Sequence, residues 1–308
     1  MATNVLYDAF VDLSSDDAES ILQEDCPNFN ESLVFPLPKK SVGTDEEGNS
    51  VFEASGTRPF NVTNCDNRLL ASAVKIVLEP IIGPLIATDQ RGFLAGRSMI
   101  SNLLDIDEAI LNHALQGEDS AAIFYDFAAA FPSIEQEFFH QFFQRLGWPK
   151  WLLNFVHSLY WNNFCSICLS GQRYTGFSIS RGIRQGCPLS PLLFAMATDL
   201  MLRRLSKEFP TACTRAWADD LAMVIGNLKG NIHGLQNFFL DFAKISGLHL
   251  NVEKTVVVPL SVYEETNIRN LIASRAPDFG GVKIATSAKY LGLFVGPGKG
   301  ILSWQEPL

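Results

Sequence analysis

No stretch of this sequence stays apolar for the roughly 18–20 residues that a membrane-spanning helix needs. The longest candidate, 69–87, is interrupted by Lys75, Glu79, Pro80 and Pro84. The N-terminus has no basic segment running into an apolar one, so no secretory signal is expected and the expected setting is intracellular, nuclear or cytoplasmic. Cysteine is sparse, and its six positions suggest no pairing framework. Cys165 and Cys168 form a lone C-x-x-C with no second pair and no His partner. Zinc takes about four such ligands, so these two are expected to be strand positions. The five histidines form no cluster, which leaves a metal-dependent phosphohydrolase without an evident general base. Net positive charge is also missing. The formal charge is −9, which gives no support of its own to a nucleic-acid partner. That acidity is local, however: residues 1–57 hold 12 acidic and 2 basic side chains, and the remainder holds 21 and 22. The main body of the chain is thus near neutral.

What is present is the composition of a folded chain, 47% hydrophobic and 19% charged, with 23 Phe. Residues 1–31 are acidic and read as a short helix or a loose arm. The run 35–40 is expected to be extended, because each proline restricts the residue before it. Residues 41–57 read as a loop or hairpin tip. Helical spacing covers 66–82 and 98–115. Ala121 to Phe127 reads as a buried strand with Asp126 near its end. Ser133 and Gln136 have the spacing of a capping box opening a helix that stops at Gly147. A further helix is expected after Pro149, then two strands within 164–180. Ser190-Pro191 is expected to start a helix to about 205. A strand, an Asp-Asp turn and a second strand follow over 213–225, then a helix at 231–246, and strands at 248–258 and 289–295. This alternation predicts an α+β fold with an antiparallel sheet packed on helices.

The chemistry rests on acids. Asp126 ends an apolar strand, a costly place for an unpaired carboxylate. Asp219 and Asp220 are adjacent on a tight turn and repel each other. Taken singly, these are a helix cap and a turn, both common. Taken together, both are satisfied if strand end and turn converge on a divalent cation such as Mg²⁺.

The flanking residues give these acids a setting. Phe124-Tyr125-Asp126-Phe127-Ala128-Ala129-Ala130-Phe131, Arg184-Gln185-Gly186-Cys187-Pro188-Leu189-Ser190-Pro191 and Trp217-Ala218-Asp219-Asp220 stand in that order. Ser246-Gly247-Leu248-His249-Leu250-Asn251-Val252-Glu253-Lys254-Thr255 and Lys289-Tyr290-Leu291-Gly292 follow. Upstream lie Pro38-Lys39, Arg58-Pro59-Phe60 and Gly92-Phe93-Leu94-Ala95-Gly96-Arg97-Ser98. Over about 35–295 the chain resembles reverse transcriptases, RNA-directed DNA polymerases, of the non-LTR retrotransposon type. Trp217 stands where Phe or Tyr is commoner, Ala129 where many relatives are polar or basic, and Pro132 where many have Asp.

The resemblance implies right-hand fingers and palm. It divides the chain into an acidic segment 1–34, a reverse transcriptase domain 35–297 and a truncated tail 298–308. Fingers would cover about 35–120 and 148–185, and palm about 121–147 and 186–297. The thumb would be largely absent, since twelve residues follow Gly296. The implied reaction is two-metal transfer of a dNTP onto a primer 3′-hydroxyl, with two Mg²⁺ or in their place Mn²⁺. Asp126, Asp219 and the Phe127 carbonyl would hold the metals, with Asp220 as a third acid. Lys39, Arg58, Gln185, Gly186 and Lys254 would bind nucleotide, and Phe131 would sit against the sugar and exclude a 2′-hydroxyl. Arg97, Tyr290 and Gly292 would contact template or primer, with a structural ion pair as the alternative for Arg97. The implied partners are an RNA template, a DNA or RNA primer, dNTPs and other parts of a retroelement polyprotein. The competing reading is an inactive remnant that keeps the fold and binds RNA.

Overall fold

The structure, a computed structural model, describes residues 2–39, 41–116 and 119–301. The N-terminal part runs α1 (Ala2–Leu13), α2 (Ala18–Glu24), β1 (Ser32–Pro38), β2 (Gly43–Thr44), β3 (Ser50–Val51), β4 (Thr57–Thr63) and α3 (Cys65–Ile82). Next come α4 (Met99–Gln116), β5 (Ser120–Tyr125), α5 (Ala130–Ser133), α6 (Gln136–Arg145), α7 (Lys150–Tyr160), β6 (Phe164–Leu169) and β7 (Gln172–Ser178). The C-terminal part is α8 (Ser190–Glu208), β8 (Cys213–Trp217), β9 (Asp220–Gly226), α9 (Leu228–Ser246), β10 (Val256–Pro259), α10 (Glu265–Arg275), β11 (Lys283–Ile284), β12 (Ala288–Tyr290) and β13 (Leu293–Val295).

These elements fall into two compact units. The first comprises 1–77 and 135–190, the second 78–134 and 191–308. In the first, a four-stranded sheet has the order β4-β1-β6-β7. The Pro36↔Pro59 pair lies in the β1–β4 ladder, with β4 at the sheet edge, where a missing N–H is tolerated. The polar 41–57 segment makes the small β2–β3 hairpin. The acidic N-terminus forms two helices rather than one helix or an arm. Phe10 of α1 packs on Trp151 and Phe155 of α7. Cys165 and Cys168 lie on β6 as free thiols, as expected.

In the second unit the sheet order is β11-β10-β5-β9-β8. The central strand β5 is buried at every position, which explains why its sequence is apolar without alternation. Ile106 and Ile110 of α4 pack with Ala122, Phe124, Ala222, Val224 and Val258 of the sheet. Residues 78–120 thus group with this sheet and 135–147 with the other one.

Several local expectations are corrected. Ser133 is not an N-cap: it closes α5, and its hydroxyl donates to the Ala128 carbonyl (2.8 Å). Helix α6 starts after Glu135 with no side-chain cap. Of the expected strand 248–258, only Val256–Pro259 is a strand. Asn251 ends the extended run by accepting from the Lys254 and Thr255 N–H groups, which makes a turn. The expected strand 289–295 is a hairpin, turned by Leu291 (φ 49) and Gly292 (φ 92). No helix among the described residues is long and apolar enough to cross a membrane.

Candidate active site

The second unit brings the three acids together. Asp126 follows the last residue of β5. Its neighbour Phe127 makes an isolated antiparallel bridge with Leu250. The flanking bonds run from Asn251 N–H to the Asp126 carbonyl (2.7 Å) and from Ala128 N–H to the His249 carbonyl (2.9 Å). Phe127 is therefore the non-bonded residue of that pair, and its carbonyl turns away from 249–251. That orientation suits an oxygen ligand. The 248–254 segment also carries Lys254, whose Nζ lies 3.7 Å from Asp126 Oδ2. This is too long for a hydrogen bond, and Asp126 Oδ2 has no hydrogen-bond partner despite being buried.

Asp219 and Asp220 come from the β8–β9 hairpin. Trp217↔Asp220 is its closing pair, so Ala218 and Asp219 form a two-residue turn. Turns of this length want positive φ at the first position and normally place Gly, Asn or Asp there. Ala218 occupies it at φ 57, which costs about 1–2 kcal/mol for a residue with a side chain. Gly92 lies directly behind. A Cβ on it would stand 2.1 Å from the Ala218 nitrogen, so only glycine allows the two backbones this approach. Both β9 and β8 continue the sheet from β5, which fixes the turn beside the end of β5.

The electrostatics show the crowding. Partial desolvation of the Asp220 carboxyl, on a residue that remains exposed, then the charges of Asp219 and Asp126, push its pKa up to about 6. Asp220 is thus a carboxylate short of compensating positive charge, and it is coupled to Asp126, whose buried Oδ2 has no hydrogen-bond donor and only the more distant Lys254 ammonium as counter-charge. That donor set fits a divalent cation. Among the described residues, no three carboxylate, imidazole or thiol groups converge closely enough to hold an ion alone. Backbone carbonyl, water and substrate oxygens would have to complete the coordination, as is usual for Mg²⁺.

A pH dependence follows. The folded state holds the Asp220 proton up to about pH 6, while a free aspartate side chain loses it near 3.8. Protonation therefore favours the folded state, and metal-free stability should fall as pH rises from about 4 through 6. Melting temperatures in EDTA across this window should decline less steeply in Asp220→Asn than in the unsubstituted protein. Equal slopes would mean that Asp220 is not the group responsible.

The other predicted site residues are placed as follows. Phe131, on α5, is half-buried. Its ring stacks on Phe194 (4.4 Å, 4°) and meets Phe93 edge-on (5.8 Å). Arg97 makes no ion pair among the described residues. Its guanidinium donates to the carbonyls of Gly83, Ile86, Ala87 and Gln90, which makes it a brace for the 83–97 loop. Tyr290 is only 3% exposed, and its hydroxyl donates to the Arg215 carbonyl (3.3 Å). It is a core residue and leaves no ring face for template or primer. Gly292 forms the β12–β13 turn at φ 92, with open space where a side chain would project.

In the first unit, Lys39 and Arg58 are exposed at the end of the β1–β4 ladder. Arg58 pairs with Leu37, and the Lys39 N–H bonds the Gly56 carbonyl. Lys40, the alternative to Lys39, lies outside the described residues, as do 302–308 of the expected tail. Gln185 is half-buried. Gly186 has φ 97, and a Cβ there would stand 2.4 Å from the Asn61 carbonyl oxygen, so its glycine is required by the fold itself. Arg184, 3% exposed, lies over the Tyr160 ring (5.7 Å). Burial lowers its pKa to about 10.

Sequence reasoning passed over one group. Gln90 is wholly buried and bonds both polar groups of Ala218. A lone glutamine 128 residues from its partner leaves no periodic or spacing signal.

An acidic hairpin beside an acidic strand end, in a sheet that is antiparallel except for its β10–β11 edge pair and is carried on helices, defines the palm of a template-directed polymerase. Residues 37–295 match the family described as Reverse transcriptase (RNA-dependent DNA polymerase), and the chain belongs to that family, with relatives of the non-LTR retrotransposon type. Among curated proteins, it is 30% identical over 215 residues to the Retrovirus-related Pol polyprotein from type-2 retrotransposable element R2DM of Drosophila melanogaster. That alignment covers 66% of this chain and 20% of the relative. It is 23% identical over 207 residues to the Transposon TX1 uncharacterized 149 kDa protein of Xenopus laevis, covering 64% and 16%. The chain thus spans about a fifth or less of the length of these relatives. Among solved structures, an apo telomerase from Candida tropicalis truncated from its C-terminal domain superposes with TM-score 0.59 at 14% identity. It covers 94% of this chain and 58% of that one, a likeness of fold.

Proposed function

We propose that this domain adds deoxynucleotides to a DNA or RNA primer 3′-hydroxyl on an RNA template, as part of a larger retroelement polyprotein. The observation that carries the reading is the meeting of Asp126, Asp219 and Asp220 at one end of the β5–β9–β8 sheet, in a chain of this family. Asp126, Asp219 and the Phe127 carbonyl would hold Mg²⁺, with Mn²⁺ as a substitute. When bound there, the ions would neutralise triphosphate charge and acidify the primer hydroxyl. The protein's own groups position the reactants. Lys254, beside Asp126, is placed to take up charge on the triphosphate or on the departing pyrophosphate. Lys39 and Arg58 offer cations for the triphosphate, and Gln185 and Gly186 a polar backbone approach to nucleotide. Phe131 bounds the sugar.

The test is extension of a labelled primer on an RNA template with Mg²⁺ and dNTPs by the purified chain. The expected result is template-directed product that EDTA abolishes. Template binding without any extension would instead favour a catalytically inactive remnant that still holds RNA.

A further inference from the structure

We propose that Gln90 is a positioning residue for the acidic turn, holding Asp219 and Asp220 in register with Asp126 through the backbone of Ala218; the catalytic consequence rests on the polymerase reading above. A buried carboxamide has two donor hydrogens and two acceptor lone pairs, and here all four are used. Gln90 Oε1 accepts from the N–H groups of Ala218 (3.1 Å) and Gly92 (2.8 Å). Its Nε2 donates to the Ala218 carbonyl (3.1 Å) and to Thr198 Oγ1 (2.8 Å). Two of these bonds close a ring with a single residue, as a neighbouring strand would do in a ladder.

Ala218 needs that partner. It stands at the hairpin tip in a left-handed conformation at φ 57, beyond the last ladder pair of β8 and β9. Among the described residues, no main-chain hydrogen bond reaches its amide or carbonyl, and leaving such groups buried and unpaired is costly. The clasp is itself anchored on both sides. Residues 89–91 extend the sheet beyond β8 through Ala216 N–H to the Asp89 carbonyl (2.8 Å) and Arg91 N–H to the Ala216 carbonyl (2.9 Å). Thr198 ties the carboxamide to α8, where its hydroxyl donates to the Phe194 carbonyl (3.0 Å). The direction of Asp219 is therefore set by α8 and the sheet edge together, through one side chain. A turn released from this hold would still form a hairpin, but the spacing of its acids from Asp126 would no longer be fixed.

The experiment compares Gln90→Met, which keeps length and loses all four bonds, with Thr198→Val, which removes one. Hydrogen exchange of the 213–226 peptide is read in the absence of nucleotide. Extension is read as kcat, KM for dNTP and half-saturating Mg²⁺. For Gln90→Met, exchange should rise by about tenfold or more in that peptide alone. Its kcat should fall by roughly a hundredfold, since a displacement on the order of 1 Å has that effect. KM for dNTP should change little, and half-saturating Mg²⁺ should increase. Thr198→Val should shift the same readouts in the same direction by a few-fold. Unchanged local exchange and Mg²⁺ dependence in both variants would overturn the proposal. So would exchange raised evenly along the chain in Gln90→Met with Thr198→Val unaltered, because Gln90 would then be a core polar group only. If the unsubstituted protein extends no primer, the polymerase reading fails, while the exchange data still decide whether Gln90 holds the turn.

Discussion

Asp219→Asn is expected to lower primer extension by about three orders of magnitude, or about 4 kcal/mol of transition-state stabilisation, without lowering the melting temperature. The two halves of this expectation have separate causes. Asp219 is exposed at the tip between β8 and β9, so an amide of the same shape displaces no core atom. Its charge also helps to raise the Asp220 pKa in the metal-free protein, so removing it relieves a repulsion. Activity is lost for the opposite reason. Phosphoryl transfer depends on positioning and charge neutralisation, and a neutral amide holds Mg²⁺ far less well than a carboxylate. Extension assays with Mg²⁺, read beside thermal melts in EDTA, check both parts. Activity within about tenfold of the unsubstituted protein, or about 1.4 kcal/mol, would remove Asp219 from the metal site. A clear fall in the EDTA melting temperature would contradict the repulsion argument.

How much of this could be read from the sequence differed by type of information. Strand β5 and helices α3 and α4 were legible because burial is written in their apolar pattern, and α7 and α8 because a proline marks where each begins. The acids were legible because fixed motifs flank them in a fixed order. Helix α10 was not, since Ile272 alone among its residues is buried and its surface face masks the period. Strand β4 was not, since Arg58 and Pro59 look like loop residues until β1 pairs with them. The 248–255 segment looked like a strand because its leucines alternate, yet Asn251 turns the chain after a single bridge. The hardest features to foresee were contacts between distant residues. Tyr290 stands in a surface-like motif but packs against Phe124. The close approach of the Asn61 carbonyl to Gly186 is a reason for glycine there that the sequence does not show. Arg97 was read as a contact to template phosphate or as half of a structural ion pair, and its guanidinium donates to four carbonyls.

The second large effect is expected at Phe131. Phe131→Ala should raise the use of ribonucleotides relative to deoxynucleotides by roughly tenfold to a hundredfold, the range a lost steric contact in a pocket usually gives. A ring can exclude a hydroxyl only if it is held still. Phe131 is gripped by the parallel stack on Phe194 and the edge of Phe93, and Phe194 is itself fully buried. The half-buried ring is held by these contacts without being fully covered. The same grip supports a competing account in which Phe131 is a packing residue and nothing more. Truncation should then cost about 1–3 kcal/mol, less than for a fully buried Phe, and should lower kcat/KM equally for both sugars. Competition between dNTP and rNTP on one template separates the two accounts, because stability loss cancels in the ratio. Phe194→Leu sharpens the test, since it loosens the stack while leaving the Phe131 ring in place. A gate that works by rigidity should lose part of its selectivity in that variant. An unchanged ratio in both variants would leave Phe131 with packing as its sole role.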